Sequence, residues 1–95
     1  MSMKEAYEKK LQSKLDEWNA EIDKLKAKAD SAEADAQLEY HKQIEELRAM
    51  QDEAGKKLDE LKEAGDDAWE DLKAGIDRAW DSLSSSIKSA RSRFN

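Results

Sequence analysis

The sequence predicts an all-α fold: one long, near-continuous amphipathic helix that assembles with copies of itself. Three observations carry this. The 95 residues contain no Pro, Val, Thr or Cys and only 3 Gly, whereas sheets draw on β-branched residues and strand-linking turns on Gly and Pro. Apolar residues recur at one helical spacing from end to end, and an 11-residue unit repeats in the second half. The lack of Cys also excludes a disulfide scaffold and any cysteine–zinc site.

The helix is expected to start at Ser2-x-x-Glu5, the pattern of a capping box, in which a hydroxyl and a carboxylate satisfy first-turn amides. From there the stripe runs Tyr7, Leu11, Leu15, Trp18, Ile22, Leu25, Ala29, Ala32, Ala36, Tyr40, Ile44, Leu47, then Gln51, Ala54, Leu58, Leu61, and on through Gly65, Ala68, Leu72, Ile76, Ala79, Leu83, Ile87, Ala90 and Phe94. Twenty-four steps over 87 residues give a mean period of 3.625, longer than the 3.5 of a left-handed coiled coil. Only Gln51 and Gly65 interrupt it.

Two places invite a break. Residues 28–36 carry a stripe of Ala alone, with Asp30-x-x-Glu33 as a faint restart. Gly65 followed by Asp67-x-x-Glu70 reads as a C-cap and a new N-cap. Because the phase passes both without a jump, the favoured expectation is an unbroken rod of about 130–140 Å at 1.5 Å per residue. A bend or hairpin near Gly65 is the competing form.

The repeat is explicit in residues 55–94. Asp66-Asp67-Ala68-Trp69-Glu70-Asp71-Leu72-Lys73-Ala74-Gly75-Ile76 aligns with Asp77-Arg78-Ala79-Trp80-Asp81-Ser82-Leu83-Ser84-Ser85-Ser86-Ile87. Eleven residues make close to three whole turns, so each unit presents the same face. Lys62, Lys73, Arg91 and Arg93 flank this face, whereas Asp59, Glu63, Asp67, Glu70, Asp77 and Asp81 lie opposite. Cationic stems beside an apolar stripe, with Trp69 and Trp80 near its edge, form the layout of a helix in a lipid–water interface.

In these units, flanks and acidic centre, residues 55–94 resemble the exchangeable apolipoproteins and also the group 3 late-embryogenesis-abundant proteins, although the latter generally lack Trp. The resemblance implies reversible coating of lipid droplets, vesicles or other apolar surfaces. The net charge of −6 makes neutral surfaces a better match than anionic bilayers and disfavours nucleic acid.

The stripe therefore yields two classes of function. In the first, Trp69, Leu72, Ile76, Trp80, Leu83, Ile87 and Phe94, with the four flanking cations, bind lipid or a partner. Leu11, Leu15, Trp18, Ile22, Leu25, Ile44, Leu47, Leu58 and Leu61 then serve self-association. In the second, the same stripe builds a helical bundle or filament with no lipid role. A desiccation-type protectant, unfolded until dried, is a third reading. Of 36 apolar residues 14 are Ala, which predicts a thin core and hence a partner. The acidic block of residues 59–81, net −6, beside the basic 82–95, net +3, suggests contacts between neighbouring copies.

No enzyme chemistry is expected. The single His41 stands one turn from Glu45 on the polar face, a weak arrangement for a metal. Ser84, Ser85 and Ser86 have no base nearby in sequence, and the glycines form no phosphate loop. No cofactor is expected. The N-terminus has no apolar signal-peptide core and no segment is apolar enough to span a membrane, so a cytoplasmic location is the expectation.

Overall fold

A computed structural model describes residues 2–94. Met1 and Asn95, the ends of the single unit read from the sequence, lie outside the described residues. Among those described, the chain forms three helices: α1 (Met3–Asp30), α2 (Ala34–Glu63) and α3 (Trp69–Arg93). They pack up, down and up into a bundle 51 × 20 × 18 Å. The all-α class holds, but the expected continuous rod is replaced by three helices folded on one another. The physical reason is the stripe itself: in an extended single chain it would stay wet, whereas two short connections let it bury against itself.

The first cap forms as the sequence indicates. Ser2 is extended (φ −77°, ψ 163°), and its hydroxyl accepts the Glu5 amide at 3.1 Å. Helix α1 ends within the Ala-only segment. The Ser31 hydroxyl donates to the Ala27 carbonyl (3.2 Å), and the Gln37 side-chain amide donates to that of Asp30 (2.9 Å). The chain turns at Glu33 (φ −63°, ψ 154°), which precedes α2.

The second break departs in detail from the expected caps. Helix α2 stops at Ala64, extended at φ −70°, ψ 142°, and Gly65 does not adopt a positive φ. Helix α3 follows Ala68, whose side chain cannot cap, rather than Asp67. Backbone bonds from the Ala68 and Trp69 amides to the Gly65 carbonyl (3.0 and 3.2 Å) bridge the gap.

The core is the stripe. Leu11, Leu15, Trp18, Ile22, Leu25 and Ala29 come from α1; Ile44, Leu47, Ala54, Leu58 and Leu61 from α2; Trp69, Ile76, Trp80, Leu83, Ile87 and Ala90 from α3, closed by Phe94. Among the described residues no polar or charged residue is buried. The sparse apolar content thus closes a core within one chain.

Candidate functional site

The residues expected to meet lipid or partners sit inside the bundle. Trp69, Ile76, Trp80, Leu83, Ile87 and Phe94 are buried, and Leu72 is half-buried against the same core. The nine residues assigned to self-association are all buried as well, and they face α3 or each other within the chain. The sequence finds the apolar face and the structure supplies its occupant, the chain's own helices.

Three aromatic pairs fasten α3 to the α1–α2 hairpin. Tyr7 meets Trp69 with ring centroids 5.9 Å apart, Trp18 meets Trp80 at 6.5 Å, and Tyr40 stacks on Phe94 at 4.1 Å. The first two pairs are separated by the same 62 positions in sequence. Parallel helices α1 and α3 thus advance in step, one 11-residue unit at a time. Trp80 is not an interfacial indole with a wet edge: it is buried, and its N–H donates to the Leu11 carbonyl at 3.3 Å.

Polar contacts decorate the ends. The Tyr7 hydroxyl donates to the Asp77 carboxylate at 2.5 Å. Burial raises the Tyr7 phenol's pKa well above the usual tyrosine range, and the hydrogen bond and charge of Asp77 push it the same way. The Lys73 ammonium lies 5.4 Å from the centroid of the Tyr7 ring. At the opposite end the Tyr40 hydroxyl donates to the Arg93 carbonyl (3.2 Å). Arg91 meets Glu21 at 3.7 Å, so the basic tail finds an acid in its own chain. His41 faces Asp30 across the first connection at 3.1 Å, rather than Glu45 one turn away.

Two polar anchors escaped the sequence reading. Arg48 reaches from α2 to Asn19 (2.8 Å) and Asp23 (2.5 Å) on α1. Lys4 donates to the carbonyls of Lys62 (3.2 Å) and Ala64 (2.6 Å), where α2 ends. Both join residues 25 or more positions apart, and nothing in a charged helix face distinguishes such a residue from its solvated neighbours before the topology is known.

The outer seam between α2 and α3 is a shallow groove lined by Met50, Ala54, Ala79, Ser82 and Ser86. Elsewhere the surface is charged, and among the described residues Met3 and Leu38 are the exposed large apolar side chains. No group of three or more potential ligands among the described residues is placed to hold a metal. No helix is long and apolar enough to cross a membrane. Compared with protein-family models, curated proteins and solved structures, the chain finds no match.

Proposed function

We propose that the protein is a non-enzymatic amphipathic-helix protein that self-associates and covers lipid or other apolar surfaces by opening its bundle and turning the stripe outward. The observation that carries this is the helical phase. A closed bundle needs an apolar face on each helix, but it does not need the three faces to stay in register across its connections. Here Ala29, Ala32, Ala36 and Tyr40 carry the phase through the first connection, and Leu61, Gly65, Ala68 and Leu72 carry it through the second. Straightened, the chain would present one continuous apolar face. Lys62 and Lys73 are exposed beside that face, and the pattern likeness of residues 55–94 to exchangeable apolipoproteins supports the same reading. Net charge −6 favours a neutral surface.

A purely structural role is the second reading. It is favoured by the completeness of the closed core, which leaves Met3 and Leu38 as the exposed large apolar side chains among the described residues.

A Glu21→Cys/Arg91→Cys variant, joined by a short bismaleimide, separates the two. These positions face one another between α1 and α3, so the linker holds the bundle shut. Flotation with a phosphatidylcholine-coated triglyceride emulsion is expected for the unlinked protein and not for the linked protein. Equal flotation of both forms, or of neither, overturns the opening mechanism.

A further inference from the structure

The two connections differ in how firmly they stop a helix. At 31–33 side chains reinforce the end of α1: the Ser31 hydroxyl joins the Ser31 amide on the Ala27 carbonyl, and the Gln37 side-chain amide donates to the Asp30 carbonyl. His41 braces the same turn through Asp30. At 64–68 neither helix end has a side-chain cap of its own. The C-cap is Ala64, the N-cap is Ala68 without a side-chain hydrogen bond, and Gly65 does not use the left-handed conformation that makes Gly a helix stop. Ala68 is already in the right-handed helical region at φ −88°, ψ −26°, whereas Ala64 is extended at ψ 142°. Rotation at Ala64 and its neighbours is therefore enough to run α2 into α3.

The carbonyls of Lys62 and Ala64 are held instead by Lys4, a side chain from the far end of α1. In a continuous helix those carbonyls would accept the amides of Asp66 and Ala68, four residues on. Lys4 thus supplies donors to these carbonyls where the helical amides are missing, and so favours the closed arrangement.

From these relationships we infer that the 64–68 connection is a swap hinge, and that the partner it serves is a second copy of this chain. In the swapped dimer α2 and α3 form one helix from about residue 34 to 93, and α3 of each chain fills the slot left on the α1–α2 hairpin of the other. Every intrachain contact of α3 is remade between chains: Tyr7 with Trp69, Trp18 with Trp80, and Tyr40 with Phe94. No new apolar surface has to be created, because the slot already fits this helix. Where the two long helices cross, the stripe consists of Gly65 and Ala68, whose small side chains permit close approach. The unbroken phase from Leu61 to Leu72 keeps the hinge itself apolar on the side that faces the crossing. This inference gives a structure to the self-association in the proposed function and is independent of the lipid surface.

The test contains no lipid. The Glu21→Cys/Arg91→Cys protein is refolded at low and at high concentration, linked with the short bismaleimide, and run on a denaturing gel beside light-scattering measurement of the native mass. In a swapped dimer the linker joins two chains, so a covalent dimer appears. In a monomer, or in a dimer of closed bundles lying side by side, it stays within one chain. Gly65→Ala sharpens the outcome. Nothing lies within 4 Å of a Cβ at Gly65, so Ala fits the closed bundle, yet it favours the helical form of both hinges and is expected to raise the dimerisation constant on the order of tenfold or more. Lys4→Met is expected to act in the same direction. Asp66→Pro, which cannot lie inside a helix, is expected to lower dimer formation by a similar factor or more, with circular dichroism confirming that its monomer is helical. Gly65→Ala protein that is monomeric at every concentration overturns the inference. So does a dimer whose linkers stay within each chain.

Discussion

Tyr7 and Trp69 hold together the two helix starts of the bundle, their rings 5.9 Å apart and tilted by 42°. On its other side the Tyr7 hydroxyl reaches past Trp69 to Asp77, two turns further along α3. One side chain of α1 thereby fixes both the height and the rotation of α3.

This makes the lower end of the bundle sensitive to alkali. The Tyr7 phenol is held neutral in the folded chain by burial and by Asp77, so its pKa lies above that of the unfolded chain. The stabilisation is fully present below the unfolded value of about 10 and is lost as pH rises past it toward the folded value. Chemical denaturation at increasing pH is expected to show stability declining above about pH 10, with a shallower decline in Tyr7→Phe. Identical slopes would separate Tyr7 from the alkaline response.

Trp80 is expected to be the most costly single aromatic to shorten. It is buried, tilts against Trp18 and donates its N–H to the Leu11 carbonyl. Trp80→Ala should destabilise the bundle by about 3–5 kcal/mol through cavity formation. Trp80→Phe, which keeps much of the ring but leaves the hydrogen bond unmade, should cost about 1–3 kcal/mol. Urea titration followed by far-ultraviolet circular dichroism reads both.

Leu83 is fully buried, with 0% exposure, whereas Leu72 in the equivalent position of the preceding repeat is half-buried. Leu83→Ala should cost about 2–5 kcal/mol, and Leu72→Ala should sit at or below the lower end of that range. Equal costs would mean that the repeat, rather than the bundle, sets the environment of both.

Gly55 and Gly75 lie inside α2 and α3, with nothing within 4 Å of a Cβ added to either. Their freedom serves no turn or close contact. Gly55→Ala and Gly75→Ala should each stabilise the protein by about 0.5–1 kcal/mol, additively, in thermal melts.

Arg48 lies between α1 and α2, but with 36% of its side chain exposed and its Asp23 partner 61% exposed. Solvent screens such a pair, so Arg48→Ala should cost no more than about 1 kcal/mol, and less in high salt. A loss of several kcal/mol in the same titration would assign Arg48 a larger part in joining α1 to α2.

Much of this fold is legible in the spacing of apolar residues. Tyr7, Trp18 and Tyr40 stand in one 11-residue column with Ala29, and all three prove to be contact points for α3. What the spacing leaves open is the destination of the face. A stripe at period 3.6 describes a helix that buries one side, and it is equally satisfied by lipid, by another chain or by the chain's own later helix. In the closed bundle the later helix is that partner: two connections of three to five residues bring its face to hand at a small entropic cost. The breaks are visible as weak points, the Ala segment near 28–36 and the vicinity of Gly65. Their caps are not, because Ala64 and Ala68 carry no side-chain signal. Lys4 and Arg48 are silent for a different reason: their partners lie in distant parts of the sequence, and a surface lysine or arginine has no sequence mark that separates an anchor from a solvated charge.

The shared offset of the Tyr7–Trp69 and Trp18–Trp80 pairs makes the bundle a ruler with gradations. Since α1 and α3 advance together by one unit of eleven, a unit added at the same level to all three helices would lengthen the molecule by about 16 Å and leave the packing above and below unrotated. Additions far from a whole number of turns would turn one face away from its neighbours. Length is therefore a property this architecture can change in discrete increments, at constant cross-section and without redesigning either end.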